Sequence, residues 1–141
     1  MMEIRILLNT DVALDFLTKN GEKTKQAQMI IRESLFGRYE VVITSETVSE
    51  INYRMLEAGM SIGQARECMS TLLNLISVID TNEADCQQAL SRTNELEFDN
   101  VLTAESARRN KISVIVTDSK NYFENLGLNL FSPKEFLALR V

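Results

Sequence analysis

Polar side chains that could bind a metal ion or a phosphate follow apolar segments at several points of the sequence. Because the chain has no histidine, it cannot form a Ser-His-Asp or Cys-His nucleophile or a His-ligated zinc or haem site. Carboxylates, hydroxyls, amides or lysines must carry any catalysis, and the cofactor that suits such groups is a hard cation on oxygen ligands. The candidate groups are Asn9-Thr10-Asp11, Thr44-Ser45, Asp80-Thr81, Phe98-Asp99-Asn100 and Thr117-Asp118-Ser119.

The cysteines and the charge exclude further classes of protein. Cys68 and Cys86 have no metal-ligand spacing, so we expect two unpaired, buried thiols in a reducing compartment. The net charge of -5 argues against a protein that coats nucleic acid non-specifically. It is compatible with a local basic groove. No apolar run is long enough to cross a bilayer, and we expect a soluble, cytoplasmic protein. Two basic groups are interpreted as solvated surface, with phosphate binding as the alternative: Lys19-Lys23-Lys25 and Arg108-Arg109-Lys111.

The elements that would position the polar groups alternate between short apolar strands and amphipathic helices. This pattern predicts one domain over residues 1–141, an α/β fold with three layers (α/β/α) and a mostly parallel sheet of four or five strands. The predicted strands are Ile4–Leu8, Tyr39–Ile43, Ile76–Ile79, Ser113–Val116 and, at one edge, Leu128–Phe131. The predicted helices are Val12–Leu17, Thr24–Phe36, Ser45–Ala58, Ser61–Asn74, Asn82–Thr93, Phe98–Arg109 and a terminal helix opened by Ser132-Pro133, with a turn at Lys19–Glu22 and a short helix or turn at Ser119–Asn125.

The predicted topology places the polar groups together. Right-handed crossovers bring the carboxyl ends of all parallel strands to one edge of the sheet, and ligands of such sheets bind there. We therefore expect the strand-end side chains to share one site, to which the helix that begins near Phe98 adds Asp99 and Asn100.

Five segments, spread over the whole chain, match one known pattern in order and spacing. The first strand continues into Asn9-Thr10-Asp11-Val12, and the second strand is followed by a helix that carries Glu50. The others are Phe98–Leu102, Val116–Lys120 with Phe123, and Leu130–Leu137. Together they resemble the PIN-domain family, which includes many toxin ribonucleases of toxin–antitoxin pairs.

The resemblance implies a site of three or four carboxylates that holds Mg²⁺ or Mn²⁺. In the family this metal ion activates a water molecule and stabilises charge on an RNA phosphate. Carried over residue by residue, the implied acids fall on Asn9, Glu50, Asn100 and Ser119, of which only Glu50 is a carboxylate. An amide oxygen is a neutral, weaker ligand and cannot act as a base. The implied metal site is therefore degenerate.

Three acids stand one or two residues from the replaced positions: Asp11, Asp99 and Asp118. With Glu50 they are the candidate catalytic acids, and Glu50, Asp11 and Asp118 are the candidate metal ligands. A shift of one residue turns a strand side chain to the other face or rotates a helical one by about 100°, so these acids need not reach the same ion. The candidate substrate-binding residues are Thr10, Thr117 and Lys120, the last as a phosphate contact.

Each acid also has a purely structural interpretation. Asp11 and Asp118 stand before helical segments, where a negative charge is favourable, and Asp99 would cap its own helix. Glu50 would complete a capping box with Thr47 or pair with Arg54 one turn later.

The middle helical hairpin has its own alternatives. Its methionines, Met55, Met60 and Met69, would pack in the core, and the hairpin would also offer a homodimer face or a docking surface for an antitoxin peptide.

Three functions compete at this point. The first is a Mg²⁺- or Mn²⁺-dependent ribonuclease, toxin-like, with RNA as substrate and an antitoxin-like protein as partner. The second is a catalytically inactive PIN-like module that binds RNA or a protein. The third is a receiver-like signalling domain, against which the Phe98 segment and the Ser132-Pro133 ending argue.

Overall fold

The computed structural model describes residues 4–92 and 96–139, in which five strands form one parallel sheet of order β3-β2-β1-β4-β5. This confirms the predicted parallel sheet and its fifth, edge strand. The strands are β1 (Arg5–Leu8), β2 (Glu40–Thr44), β3 (Ser77–Ile79), β4 (Val114–Val116) and β5 (Asn129–Phe131).

The central strand β1 is buried on both faces because its apolar residues alternate between two cores. Ile6 and Leu8 pack into the core beneath the first four helices and the last one, whereas Leu7 packs against the sixth helix and Phe123. The sheet is therefore the middle of three layers, as predicted. The helices are α1 (Thr10–Leu17), α2 (Gly21–Leu35), α3 (Ser45–Glu57), α4 (Ile62–Leu73), α5 (Glu83–Ser91), α6 (Phe98–Arg109) and α7 (Pro133–Ala138), and Lys120–Phe123 forms a 3-10 turn.

Helix starts follow local sequence signals in most cases. Capping boxes form at Ser61 with Gln64 and at Ser132 with Glu135, where the sequence predicts helix starts, and Asn82 caps α5 together with Asp85. Met55 is fully buried, and Met60 and Met69 pack against the same core, which confirms their core role.

Other local predictions were wrong. Helix α2 begins at Gly21, inside the predicted turn Lys19–Glu22. The Asn20 N–H donates to Thr24 Oγ1, so the turn is shorter than the predicted four residues. Helix α1 begins at Thr10, with Asn9 as its N-cap, two residues before the predicted start at Val12. The predicted end of α5 at Thr93 lies outside the described residues.

Two further caps differ from prediction, and in both cases the helix begins before the predicted cap. Glu97 is the N-cap of α6, so Asp99 lies in its first turn. Thr44 is the N-cap of α3 and accepts from the Thr47 N–H, so the capping box of Thr47 with Glu50 does not form.

The cysteines and hydropathy add two observations. Cys68 and Cys86 are both unpaired, as expected, but half-buried rather than fully buried. Across residues 4–92 and 96–139, every helix is too short or too polar to cross a membrane.

Candidate functional site

A cleft of about 550 Å³ opens at the carboxyl edge of the sheet, between the β1–α1 junction, α3 and the first turn of α6. Tyr53 and Leu102 contribute to its walls. Its acidic and amide side chains are Asn9, Glu46, Glu50, Asp99 and Asn100. Residues more than 80 positions apart in sequence therefore meet in one place, as the parallel topology predicts.

Glu50 is the acid of the cleft whose position the resemblance implies. Its Oε1 accepts a hydrogen bond of 3.0 Å from the Thr10 hydroxyl, and its Oε2 accepts one of 3.3 Å from the Arg54 guanidinium. Both Glu50 and Arg54 are about half exposed, so their ion pair is weak. The carboxylate thus has one oxygen held by the fold and one that a ligand can reach.

Glu46 joins Glu50 in the cleft, although the sequence interpretation missed it. It lies one helical turn earlier on α3, so both carboxylates share a face of the helix. Its Oε1 accepts from the Thr81 hydroxyl at 2.5 Å, and Thr81 Oγ1 lies 2.8 Å from Ser106 Oγ of α6. The i,i+4 spacing from Glu50 was the available signal.

Asp99 and Asn100 line the cleft from the first turn of α6. Asp99 is exposed and Asn100 is half-buried. Both side chains therefore face α3 across the cleft, with the acid more accessible to solvent than the amide.

A second polar group, the Thr117 cluster, lies at the end of β4 and consists of Asn9, Asp11, Thr117, Asp118 and Ser119. Asp11 accepts from the backbone N–H groups of Val12 and Asp118, each at 2.9 Å. The hydroxyl of Thr117 lies 3.1 Å from both carboxylate oxygens of Asp11. Thr117 Oγ1 in turn accepts from Asn9 Nδ2 at 3.3 Å and from the Ser119 N–H at 3.0 Å.

Burial dominates the electrostatics of the Thr117 cluster. It raises the pKa of Asp11 above its ordinary value of 3.8, and the hydrogen bonds from Asp118, Thr117 and Val12 offset only part of that rise. The fold thus uses Asp11 as an acceptor that ties β4 to α1.

The predicted site residues separate into two sets. The cleft contains Glu50, Asp99, Asn9, Asn100 and Thr10. The other predicted residues, Asp11, Asp118, Ser119, Thr117 and Lys120, are not among the described residues that line it.

Lys120 and Asp118 each have a charged neighbour outside the cleft. Lys120 Nζ donates to both carboxylate oxygens of Glu135, at 2.7 and 3.0 Å, and this ion pair lowers the pKa of Glu135. Asp118 lies 3.9 Å from Lys23 Nζ. Their predicted roles in metal or phosphate binding stay predictions.

The donor set of the cleft decides which cation it suits. Carboxylate and amide oxygens are hard ligands, and Mg²⁺ is commonly bound through one or two carboxylates while it keeps several waters. In the part of the chain that the structure describes, no three acidic or cysteine side chains come together to hold a metal ion. The residues present therefore fit a hydrated divalent cation held through Glu50 and one further acid, and do not fit a site of three convergent carboxylates.

Comparisons with known proteins agree with this architecture. The sequence model of a family described as PIN domain matches residues 5–121. Direct sequence comparison with curated proteins gives no match.

Among solved structures, FitAcB from Neisseria gonorrhoeae superposes with a TM-score of 0.70 at 17% identity over 92% of this chain and 98% of its own. VapBC2 from Rickettsia felis, solved with a promoter DNA fragment, gives 0.63 at 16% identity over 92% and 98%. VapC20 of Mycobacterium tuberculosis, described as a toxin that cleaves the sarcin–ricin loop, gives 0.60 at 14% identity over 78% and 86%. At these identities the likeness establishes the fold.

Proposed function

Since the chain belongs to the PIN-domain family, we propose that it is a toxin-like ribonuclease with a divergent active site that depends on Mg²⁺ or Mn²⁺. One observation carries the proposal: a single cleft at the carboxyl edge contains Glu46, Glu50 and Asp99 together with the amides of Asn9 and Asn100. Ligands of parallel α/β sheets bind at this edge.

The residues of the cleft divide the work as follows. Glu50 would hold the cation together with Glu46 or Asp99, and Asn9 and Asn100 would add neutral oxygens. A bound divalent cation supplies Lewis-acid stabilisation of the phosphate and a more acidic water. Displacing Arg54 from Glu50 costs only about 0.3–0.5 kcal/mol, the worth of an exposed i,i+4 pair. In this proposal Asp11 and Thr117 keep the strand-end turn in place.

The proposal includes protein partners as well as RNA. A solved structure described as a toxin–antitoxin complex from Klebsiella pneumoniae shares the fold, with a TM-score of 0.67 at 12% identity. For this chain we propose an antitoxin-like partner and a homodimer formed through the α3–α4 hairpin. The support for the hairpin is its set of exposed apolar side chains: Tyr53, Leu56, Ile62 and Leu73.

A second candidate function is a catalytically inactive module that binds RNA or a protein. Asn9, Asn100 and Ser119 at three of the four implied acid positions favour it. Amides and hydroxyls leave the cation with less negative charge than the resemblance implies, and they supply no base.

An RNA-cleavage assay separates the two candidates. The full chain is incubated with single-stranded RNA in Mn²⁺ or EDTA, beside Glu50→Gln and the control Glu67→Gln on the exposed side of α4. We expect Mn²⁺-dependent cleavage that Glu50→Gln lowers by about 100-fold or more and that the control leaves unchanged. No cleavage by the unaltered chain favours the inactive module, and equal rates with Glu50→Gln remove Glu50 from catalysis.

A further inference from the structure

Three threonine side chains form a buried line of hydroxyls that ends on Glu50. Thr44 Oγ1 lies 3.2 Å from Thr47 Oγ1, Thr47 Oγ1 lies 3.1 Å from Thr10 Oγ1, and Thr10 Oγ1 lies 3.0 Å from Glu50 Oε1. The exposed fractions of Thr44, Thr47 and Thr10 are 0%, 3% and 7%. We call Thr44, Thr47 and Thr10 the threonine relay.

The number of protons fixes the direction of every hydrogen bond in the relay. A hydroxyl has one proton, and the proton of Thr10 is donated to the carboxylate of Glu50. In the contact between Thr10 and Thr47, the donor must then be Thr47. Because the hydroxyl proton of Thr47 is used in that bond, Thr47 Oγ1 accepts from the Thr44 hydroxyl. Thr44 Oγ1 in turn accepts from the backbone N–H of Thr47 at 3.2 Å.

The relay connects Glu50 to two elements other than its own turn of helix. Thr44 ends β2 and caps α3, Thr47 lies in the first turn of α3, and Thr10 begins α1. Hydroxyl groups that donate in one direction polarise one another, so removing any member weakens the last bond. The hydroxyl of Thr44 is also the N-cap of α3. At Thr10 and Thr47, by contrast, a valine would fill the same space without a polar group to satisfy, so packing alone does not call for these two hydroxyls.

We infer that Thr10, Thr47 and Thr44 are positioning residues for Glu50. They hold Oε1 at the β1–α1 junction, which leaves Oε2 as the oxygen that meets a ligand in the cleft. The inference rests on the proposed function for its biological meaning, since it concerns how that site presents its acid. Thr47 and Thr44 act on Glu50 only through Thr10.

The test uses isosteric and conservative variants of Thr47, whose hydroxyl bonds to Thr10 and Thr44 rather than to Glu50. Thr47→Val removes the middle hydroxyl and keeps the shape, whereas Thr47→Ser keeps the hydroxyl. A matched control is Thr18→Val, which removes a half-buried hydroxyl that donates to the Leu14 carbonyl at the end of α1. Two quantities are measured: the ¹³C carboxyl signal of Glu50 in the metal-free chain by NMR, and Mn²⁺ affinity by calorimetry.

We expect Thr47→Val to move the Glu50 carboxyl signal and to lower Mn²⁺ affinity by about tenfold, as loss of a residue that orients a metal ligand does. Thr47→Ser should restore both, and Thr18→Val should change neither. A folded Thr47→Val with an unchanged Glu50 signal overturns the relay. If the Glu50 signal moves only in Thr47→Val but the unaltered chain cleaves no RNA, the relay stands and the ribonuclease proposal fails.

Discussion

The two acidic groups at the carboxyl edge of the sheet differ in how much of their hydrogen-bonding capacity the protein itself uses. In the Thr117 cluster, both oxygens of Asp11 accept from backbone N–H groups and a hydroxyl. In the cleft, Glu50 accepts from one buried hydroxyl and from an exposed guanidinium. A carboxylate with its lone pairs already occupied serves the fold, whereas one with a reachable oxygen can serve a ligand.

The largest effect that sharpens this comparison is on stability. We expect Asp11→Ala to lower the free energy of unfolding by about 2–3 kcal/mol, because the N–H of Asp118 and the hydroxyl of Thr117 lose their acceptor. Glu50→Ala should lower it by only about 1 kcal/mol, because the Thr10 hydroxyl is the buried donor that loses its acceptor and Glu50 itself is exposed. Urea unfolding followed by circular dichroism measures both. Equal losses in the two variants would contradict the distinction between the groups.

A second prediction adds charge to each group in turn. Asn100→Asp places a carboxylate in the cleft beside Glu50, whereas Ser119→Asp places one in the Thr117 cluster. We expect Asn100→Asp to raise Mn²⁺ affinity by about tenfold, equivalent to ~1.4 kcal/mol, since the ion gains an anionic ligand. Ser119→Asp should change Mn²⁺ affinity by about twofold or less, because salt screens a charge that lies outside the cleft.

Calorimetric titration with Mn²⁺ measures both variants against the unaltered chain. Unchanged affinity in Asn100→Asp would show that the cleft is not where the cation binds. A larger gain from Ser119→Asp would move the site to the Thr117 cluster and return Asp118 to the candidate ligands.

The third prediction concerns pH and contrasts Asp11 with Asp85. Burial raises the pKa of Asp11, so the folded state binds its proton more tightly than the unfolded state does. The stability that this proton contributes is present below about pH 4, the ordinary value, and is lost as pH rises through the raised pKa. Relative to Asp11→Asn, which has no proton to gain, the unaltered chain should become more stable between pH 7 and pH 4.

Asp85 should show the opposite sign. Burial opposes its charged form, but hydrogen bonds from Arg109 and from the Asn82 N–H hold the pKa of Asp85 below its ordinary value. Its contribution is present above that ordinary value and is lost as pH falls through the lowered pKa. Relative to Asp85→Asn, the unaltered chain should therefore lose stability on acidification. Urea unfolding at several pH values measures both differences, and slopes of the same sign would contradict the assigned shifts.

The fold could be predicted from the sequence because its signals are local. Apolar runs of four or five residues, alternating with helical periodicity, indicate a parallel sheet between two layers. Capping boxes at Ser61 and Ser132 mark helix starts within four residues. The start of α2 was missed because it depends on a backbone hydrogen bond to Thr24, which composition does not reveal.

The site could be predicted only in part, because its distinctions are made by tertiary contacts. The sequence places Asp11 and Glu50 at the same edge of the sheet. Only the structure shows that an Asp11 oxygen already accepts from the N–H of Asp118, 107 positions away. Glu46 was missed although it lies one turn before Glu50, since it is Thr81 from the end of another strand that holds it in the cleft. Resemblance to a family indicates which residues stand at the site, but it does not indicate which groups hydrogen-bond to them.

The smallest expected effect tests whether Glu50 is as accessible as the comparison requires. Arg54 is half exposed, and its bond to Glu50 Oε2 at 3.3 Å is long for a charged pair. A cation that binds Glu50 must displace this guanidinium, which costs about 0.3–0.5 kcal/mol for an exposed i,i+4 pair. Arg54→Met, which keeps the length of the side chain, should therefore raise Mn²⁺ affinity by about twofold.

The control is Arg66→Met on α4, which removes the same charge from an exposed position outside the cleft. It separates loss of the Glu50 pair from the general effect of lower positive charge, which salt screens over about 10 Å. If both variants raise Mn²⁺ affinity equally, the gain is long-range electrostatics, and Arg54 does not compete for Glu50. If Arg54→Met lowers affinity, the guanidinium holds Glu50 in place for the cation, and Oε2 is positioned by the fold just as Oε1 is.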